Sequence, residues 1–490
     1  MKFTSGILIT LLFGCMTFPA WGEGMNAEAV EELDEQELIL EDDELLIEEG
    51  ADSTVIDIED DVAADEVLME EGGVATEDDT DITYSDNVAL QAANFSMGID
   101  ETQIEAGHLI KSGAEADTSN YLHMAFSARW DSGSAWEAQL AGRVDGYYQS
   151  GKQNPDRTQL DYGESFIRYR GEDVRFTVGT QMILWGRIDE LPPTDRLSTV
   201  DLSRFILDDH PDRRRASPAI RLEYFRGADK FDVVWLPKFR AAKLAGRKSI
   251  WSSINQQKGE LLGVESTPAV SALIKGSRFT EHEPHGDGGG GVRYSHSGSG
   301  FDYALTAQHV RQSTPYYELV SANRFKAHYP RSWVVGGDIG FEALDAAWSF
   351  EAAWLSDVPV TKTDISYTTI EGVSWAASVE FHPGDGDTRV NLQLIGTNLI
   401  DSPRVLDRTE IYTINGAVDF PFARERWRVN TRFFLGLDKK DVYINPELAY
   451  IGWEPHEIYL AAHYFTGSGG TLGGYHQDHS LLTLGWRAKF

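Results

Sequence analysis

The chain has 490 residues and a formal net charge of −35, from 43 Lys and Arg against 78 Asp and Glu. Of the acidic residues, 27 lie between Glu23 and Asp86, a stretch without Lys or Arg, while the chain from Asn87 onward holds 51 acidic and 42 basic residues. The acidity therefore belongs to one segment, and this composition argues against nucleic acid as a partner.

The first 22 residues have the parts of a secretory signal peptide. Lys2 supplies the positive charge, residues 7–13 form a short apolar core, and Ala20, Trp21 and Gly22 form a cleavage site. Residues 12–15, LFGC, offer the alternative of a lipoprotein-type box with Cys15 as lipid anchor. Phe13 fits that box poorly, so cleavage after Gly22 is preferred. Because Cys15 is the only cysteine, cleavage leaves no thiol for a disulfide, a nucleophile or a zinc site.

Residues 23–93 are predicted to form a disordered, acidic, low-complexity tail. The aliphatic residues in EELDEQELILEDDELLIEEG would allow a transient helix, but unopposed carboxylates repel one another. Docking of a basic partner, or collection of cations, is the functional alternative. No later apolar run reaches the roughly 18–20 residues that a spanning helix needs.

From about residue 94 the sequence alternates with a period of two. Residues 346–354 show the pattern, because Ser349 and Glu351 lie between apolar residues at the even positions, namely Ala346, Trp348, Phe350, Ala352 and Trp354. Residues 121–130, 136–148, 456–464 and 479–490 alternate in the same way. Alternating side chains face opposite sides of a strand. Many of these stretches reach ten residues, the length of a tilted strand that crosses a bilayer.

The alternation predicts 18 strands, near 94–111, 119–131, 135–149, 158–170, 173–184, 217–227, 229–238, 289–297, 301–312, 333–342, 345–357, 367–382, 387–399, 409–420, 424–437, 441–453, 456–467 and 479–490. Every second connection is short, whereas the others are mostly longer, and two, about 185–216 and 239–288, are very long. Short turns on one side and long loops on the other are typical of outer-membrane barrels. The fold class is thus all-β, a single transmembrane antiparallel β-barrel of about 18 strands (16–18) over residues 94–490, with the tail in the periplasm.

Tryptophan supports this prediction independently. Trp130, Trp136, Trp348, Trp453 and Trp486 each lie within a few residues of a short turn or of the last residue, Phe490. A belt of Trp at a membrane interface predicts that placement.

The last residues, TLGWRAKF, resemble the C-terminal assembly signal of Gram-negative outer-membrane proteins, with Gly485 and Phe490 at two of its positions. The 18-strand layout resembles substrate-specific and alginate-export porins, and residues 184–209 resemble a loop of a poorly characterised group of proteobacterial porin-like barrels. These resemblances imply a channel in the outer membrane of a Gram-negative bacterium. They also imply contact with lipid and lipopolysaccharide and insertion by the barrel assembly machinery.

Barrels of this size enclose an aqueous channel, so polar residues on the lumen side are the candidate functional surface. A basic wall is predicted from Arg129, Arg143, Arg175, Arg426, Arg428, Arg432, Arg487 and Lys489. An acidic wall is predicted opposite, from Asp232, Asp302, Asp338, Asp345 and Glu351. A field between such walls would select polar solutes by charge, anionic or oligomeric ones among them. The alternative is that these charges pair and fill space.

Loop 185–216 is the candidate constriction. Ser198 and Asp201 predict the start of a short helix, with Leu202, Phe205 and Ile206 as its apolar stripe. The charged candidates of this loop are Arg187, Asp189, Glu190, Arg196, Arg204 and Asp208. Folded inward, the loop would narrow the pore; the alternatives are a cap over the mouth, or binding of lipopolysaccharide phosphates by Arg213, Arg214 and Arg215.

The remaining motifs favour no enzyme. The histidines of residues 281–285 (EHEPH) and 476–479 (HQDH) lack a firm metal spacing and are predicted to be ordinary exposed residues, so no metal or cofactor is expected. Glycine-rich residues 285–291 and 467–474 precede no helix and are weak as nucleotide motifs. An outer-membrane hydrolase at the barrel lip, tested through His123 and His463, remains an alternative to a channel. A third possibility is a structural or export barrel whose tail docks a periplasmic subunit.

Overall fold

The computed structural model describes residues 94–111, 113–209, 212–384, 386–401 and 404–490. The predicted signal peptide and acidic tail, residues 1–93, lie outside these residues.

Eighteen antiparallel strands form the wall of the protein in the described part of the chain. In chain order they are β1 (Asn94–Leu109), β2 (Ala116–Asp131), β3 (Trp136–Gly151), β4 (Asp156–Tyr162 and Ser165–Arg170), β5 (Val174–Gln181), β6 (Ser217–Arg226), β7 (Asp229–Leu236), β8 (Gly289–His296), β9 (Asp302–Arg311), β10 (Arg331–Ala343), β11 (Ala346–Thr361), β12 (Tyr367–Phe381), β13 (Arg389–Leu399), β14 (Glu410–Phe422), β15 (Trp427–Gly436), β16 (Asp441–Trp453), β17 (His456–Gly467) and β18 (Leu481–Lys489). Each overlaps a strand predicted from the alternation, so the predicted fold class is confirmed.

The sheet closes on itself, because β1 pairs with β18 from Glu101 opposite Lys489 to Leu109 opposite Leu481. Every other neighbour in the wall is also the next strand along the chain. The strand β4 is interrupted after Tyr162, and both of its segments pair with β3. At the interruption the Ser165 hydroxyl accepts the N–H of Ala141 at 3.0 Å, which replaces a backbone ladder bond.

The two faces of the wall differ as the alternation predicts. Outward side chains are apolar and exposed, for example Leu140 at 69%, Leu160 at 76% and Leu305 at 61%. Inward side chains include fully buried polar residues such as Asp145 and Gln308. Apolar groups outside and polar groups inside are the arrangement of a barrel solvated by lipid.

Tryptophans mark both edges of the apolar outer band. Trp130, Trp136 and Trp453 are exposed near short turns, and Trp235 and Trp333 are exposed near the opposite ends of their strands. Such paired belts lie at the two interfaces of a bilayer. The predicted belt at the short-turn side is therefore present, and a second belt accompanies it.

Long loops fill much of the interior at the long-loop side. They contain helix α1 (Pro268–Gly276), helix α2 (Leu472–Tyr475) and short strands at Thr199–Leu202, Arg214–Arg215, Lys243–Leu244, Ile254–Asn255, Glu260–Leu261, Arg278–Thr280, Tyr316–Ser321 and Arg324–His328. Neither helix is long and apolar enough to cross a membrane, among the residues that the structure describes. Apolar loop residues pack on the lumen side of the wall, as Ile183, Trp185 and Leu197 do on Val234 and Leu236.

Gly485, a predicted assembly-signal residue, lets a side chain cross the closing seam. A Cβ at Gly485 would lie 2.2 Å from the ring of Tyr459, its partner on β17. Tyr459 passes over β18 at this point and donates its hydroxyl to Glu105 on β1 at 2.8 Å. Phe490 is exposed, and its N–H donates to the Asp100 carbonyl at 2.9 Å.

We expect Gly485→Ala to destabilise the barrel by about 1–3 kcal/mol, because the added methyl group forces Tyr459 out of its place. The measurement is the temperature at which unboiled protein loses its compact electrophoretic band. Gly98→Ala on β1 is the matched control, since a Cβ there meets nothing within 4 Å. Equal transition temperatures for the two variants would contradict the packing role.

Candidate functional site

Loop 182–216, which we call the inner loop, connects the paired ends of β5 and β6 but reaches across the lumen. On the wall formed by β9–β11, Arg187 donates to Asp338 at 2.7 Å and lies 3.4 Å from Asp302. The Glu351 carboxylate accepts the N–H groups of Arg187 at 2.9 Å and Thr194 at 2.6 Å, and the Thr194 hydroxyl at 2.7 Å. The first half of the inner loop is thereby fixed to that wall.

The same half also contacts the next strands. The Asn391 side chain on β13 donates to Asp189 at 3.1 Å, and Gln393 accepts the N–H of Glu190 at 3.3 Å. Ile188 packs on Ala376 and Ile395.

The second half of the inner loop binds the opposite wall. Arg204 is buried, forms ion pairs with Glu105 on β1 and with Asp208 at 2.7 Å, and lies over the Tyr121 ring at 4.0 Å. Arg432 on β15 donates to the Leu207 carbonyl at 2.9 Å and pairs with Asp209. Because its two halves bind opposite walls, the inner loop lies within the lumen and is not a cap above the mouth.

The helix predicted at Ser198 is wrong. Residues Thr199–Leu202 form a short strand, which pairs with Arg214–Arg215 and with Lys243–Leu244 of the next long loop. The Ser198 hydroxyl bonds the Ile183 carbonyl at 2.5 Å, and Phe205 has a positive φ of 58°. Phe205 and Ile206 of the predicted apolar stripe instead pack with residues of other loops and strands, whereas Leu202 belongs to the short strand. Tertiary partners for these backbone groups outweigh the local capping signal.

The arginine triplet does not face lipopolysaccharide. Arg213 pairs with Glu190 at 2.9 Å, Arg214 pairs with Asp195, and Arg215 pairs with Asp161 at 2.7 Å. All three pairs lie inside the barrel, and Arg196 donates to the Pro193 carbonyl at 3.0 Å within the inner loop itself. The alternative that assigned the triplet to phosphate binding is therefore wrong.

The predicted basic wall is locally neutralised. Seven of its eight members have an acidic partner within 4.0 Å: Arg129 with Asp100, Arg143 with Asp145, Arg175 with Glu223, Arg428 and Arg487 with Glu457, Arg432 with Asp209, and Lys489 with Glu101. Arg426 does not belong to the wall, because it lies in the turn between β14 and β15.

Three of the five predicted acidic-wall residues are neutralised too, whereas Glu351 accepts only backbone N–H groups and the Thr194 hydroxyl. Asp232 pairs with Arg221 at 2.6 Å, Asp338 pairs with Arg293 at 2.7 Å, and Arg187 of the inner loop lies beside Asp302. Asp345 lies in the exposed turn between β10 and β11 and does not face the lumen. Segregation of charge across the pore thus stays a prediction without support from these contacts.

Two polar cavities lie beneath the inner loop, with volumes of about 350 and 320 Å³. Both are lined by Glu101, Gln103, Asp208 and Asp212, and we call the two neighbouring cavities together the vestibule. Eleven acidic and nine basic residues line it. Enclosure raises the pKa of Asp212 to about 6, and the carboxylates of Glu101, Asp209 and Asp208 add to this against the charge of Lys489.

A charged cluster that the sequence did not suggest connects the two long loops. Lys243 lies 2.8 Å from Asp201 of the inner loop and 3.3 Å from Asp145 on β3. Tyr121 and His123 also bond Asp145, at 2.9 and 2.8 Å. Since these residues are far apart in the chain, no local pattern could have indicated their contact.

The two histidine clusters differ. His282 and His285 are exposed, as predicted. His476 and His479 are fully buried, which corrects the prediction that they are ordinary surface residues. For the alternative hydrolase, His123 bonds Asp145 and His463 bonds the Tyr443 hydroxyl at 3.0 Å; neither ring bonds a serine within the described ranges.

No family model matches the chain, and no curated protein matches it. Solved structures similar to it include Salmonella typhi OmpF, at 9% identity and TM-score 0.40 over 81% of this chain and 97% of that one. Pseudomonas aeruginosa OpdQ is 9% identical, with a TM-score of 0.44 over 82% of this chain and 98% of that one. Wzi, an Escherichia coli outer membrane protein, is 12% identical, with a TM-score of 0.41 over 80% of this chain and 85% of that one. Likenesses at this level carry no argument about activity. By its own strand pairing and apolar outer face, the chain is a closed, 18-stranded β-barrel of the outer-membrane type.

Proposed function

We propose that the protein is an outer-membrane channel through which small polar solutes diffuse, and that the inner loop forms its constriction. The observation that carries this proposal is the attachment of the inner loop to opposite walls by buried ion pairs, above a polar vestibule. Catalysis is not needed for this role. An inner loop held across the lumen supports this proposal, because pore width and lining charge decide which solutes pass such a barrel.

The direct test is conductance of the purified protein in planar lipid bilayers. Discrete current steps of uniform size are expected, with a weak preference for cations. A correctly folded barrel that gives no current steps between pH 5 and pH 7.5 would overturn the channel.

This expected preference for cations differs from the preference for anions that a basic wall would produce. Most basic residues of the lumen are paired, and acidic residues outnumber basic ones around the vestibule. The Asp212 carboxylate forms no ion pair among the described residues, whereas Asp208 pairs with Arg204 and Asp209 with Arg432. Its charge is therefore the least compensated at the tip of the inner loop, although Arg143 donates to the Asp212 carbonyl at 3.5 Å.

We expect Asp212→Asn to lower the ratio of cation to anion permeability, measured as the reversal potential across a salt gradient. Because the pKa of Asp212 is about 6, its charge is present above that pH and is lost as the pH falls below it. The wild-type ratio should therefore fall between pH 7 and pH 5, and that of the variant should change less. Glu425→Gln, in an exposed turn, is the matched control; a shift as large in this control would contradict the assignment.

The same topology supports a proposal for the placement of the protein in the cell. The first described residue, Asn94, lies at the short-turn end of β1, which is the periplasmic end of barrels with this loop asymmetry. We propose that residues 1–22 are removed on export, that residues 23–93 form a periplasmic tail, and that residues 94–490 form the barrel. The assembly machinery would recognise the segment that includes Gly485 and Phe490, and lipid and lipopolysaccharide would cover the apolar outer face.

A further inference from the structure

Four connections between strands, three of them long loops, meet at a buried histidine pair on the long-loop side of the barrel, above the proposed constriction. Nδ1 of His476 and Nδ1 of His479 lie 3.0 Å apart, and Nε2 of His479 lies 2.9 Å from Glu115 in the connection between β1 and β2. Lys258, in the loop between β7 and β8, lies 3.0 Å from Glu115 and 2.9 Å from Asp478. We call these residues the histidine clamp.

When both rings are neutral, the bonds of the clamp fix which nitrogen of each ring carries the proton. Since a carboxylate only accepts hydrogen bonds, Nε2 of His479 carries a proton and donates it to Glu115. Nδ1 of neutral His479 is then an acceptor, so Nδ1 of His476 donates to it. Nε2 of His476 is left as a bare acceptor, buried and without a partner among the described residues.

The surroundings of His476 are aromatic. Phe205 of the inner loop, Trp251 of the loop between β7 and β8, and Phe465 of β17 lie with ring centroids 4.8, 5.5 and 5.6 Å from the imidazole. These three aromatic side chains bring no charge to the ring. Neutral His476 therefore joins loops from three parts of the chain into one closed cluster.

Burial and two of the groups around the clamp, His479 and Lys258, oppose a positive charge on His476. Its neighbours are Glu115, Lys258, Glu260, Tyr475, Asp478 and His479. Burial holds the pKa of His476 well below its ordinary value, and a positive charge on His479 or Lys258 lowers it further. Burial by itself would raise the pKa of Glu115, but hydrogen bonds from His479 and Lys258 lower it to about 2, so this carboxylate stays charged in mild acid.

We propose that the histidine clamp is a proton-operated closure of the channel mouth, held shut by neutral His476 and released when acid places a charge on that ring. The proposal rests on the channel function above. A protonated His476 would have a second N–H with no acceptor in its aromatic site, so the cation is more stable when the loops separate and water reaches it.

The direction of the pH dependence follows from the linkage between protonation of His476 and loop closure. The closed state binds fewer protons at His476 than the open state, in which the ring has its ordinary pKa of about 6.5. Closure is therefore fully stable above that pH and weakens progressively as the pH falls below it.

The first test measures open probability in planar bilayers at pH 7.5 and pH 5. We expect the wild-type probability to rise several-fold in acid, and His476→Phe, which keeps an aromatic ring but cannot be protonated, to lose most of this rise. His285→Gln, at an exposed histidine, is the matched control and should respond as the wild type does. An acid response in His476→Phe equal to that of the wild type would overturn the closure.

A second test needs no current and so separates this proposal from the channel itself. Ser252 is buried beside the clamp, where its carbonyl accepts the Tyr475 hydroxyl at 2.7 Å. In Ser252→Cys, the rate of labelling by a maleimide, divided by that of Ser321→Cys at an exposed site, should rise several-fold from pH 7.5 to pH 5. A constant ratio would reject the closure even if the protein conducts, and a rising ratio without conductance would support the closure and reject the channel.

Because Phe at position 476 removes one hydrogen bond, that variant could fail to fold. Glu115→Gln then serves in its place, since it weakens the bond to His479 but leaves the ring of His476 intact. It should raise the labelling ratio already at pH 7.5, and an unchanged ratio would contradict the clamp.

Discussion

Replacement of residues 182–216 by an Asn-Gly turn is expected to raise the unit conductance of the open channel several-fold. Gln181 and Ser217 are direct partners in the pairing of β5 with β6, so a two-residue turn can join these strands without a change of register. The replacement removes the inner loop from the lumen, and a barrel of 18 strands without such a loop encloses a wide aqueous channel.

The measurement is the amplitude of single current steps, not their frequency. The amplitude reports the constriction, whereas the frequency also depends on the loops above it. A folded barrel with unchanged step amplitude would show that the inner loop is not the narrowest part of the pore.

A folding control is essential in this experiment. Removal of the inner loop uncovers apolar residues of the wall, among them Ala219, Val234 and Leu236. A lower transition temperature is therefore expected for the shortened protein. Retention of the compact electrophoretic band shows that the barrel is closed. Only protein that retains this band is used for the conductance measurement.

The second large effect is expected from loss of the buried ion pair between Arg204 and Glu105. Both residues are about 95% buried, and the pair joins the inner loop to β1. Removal of one partner leaves an uncompensated charge in the interior, which costs about 3–5 kcal/mol. Arg204→Met should therefore destabilise the barrel strongly and loosen the second half of the inner loop.

A double-mutant cycle isolates this pair. Arg204→Met combined with Glu105→Gln should be more stable than Arg204→Met alone, because the unpaired carboxylate is gone. The measurement is the midpoint of urea unfolding in detergent micelles, followed by tryptophan fluorescence. Additive effects of the two substitutions would contradict a coupled buried pair.

The control is an exposed pair on the same side of the barrel. Arg129 has a side chain that is 64% exposed and lies 4.0 Å from Asp100. Since exposed ion pairs contribute at most about 1 kcal/mol, Arg129→Met should leave the unfolding midpoint almost unchanged.

The barrel itself could be predicted from the sequence because its cause is local. Each strand must present apolar side chains to lipid and polar ones to the lumen, so residues two apart share a face. That rule located all eighteen strands, and the alternation of short and long connections predicted which end of the barrel has the short turns. Gly485 could be recognised by its place near the last residue, although its contact with Tyr459 could not.

The contents of the lumen could not be predicted in the same way. Which acid neutralises Arg187 or Lys243 depends on loops that approach strands more than 90 residues away. Likewise, the pattern around Ser198 predicts a helix only as long as no other strand offers its backbone a partner, and Arg214–Arg215 and Lys243–Leu244 do so.

The wall of this protein thus follows from its residue pattern, because contact with lipid imposes a period of two on every strand. The position of the inner loop, the pairing of the charges and the burial of His476 depend instead on the folded arrangement. The reason is that a hydrogen bond or ion pair inside the lumen depends on the distance between two atoms, and closure of the barrel fixes that distance, not the spacing of the residues along the chain.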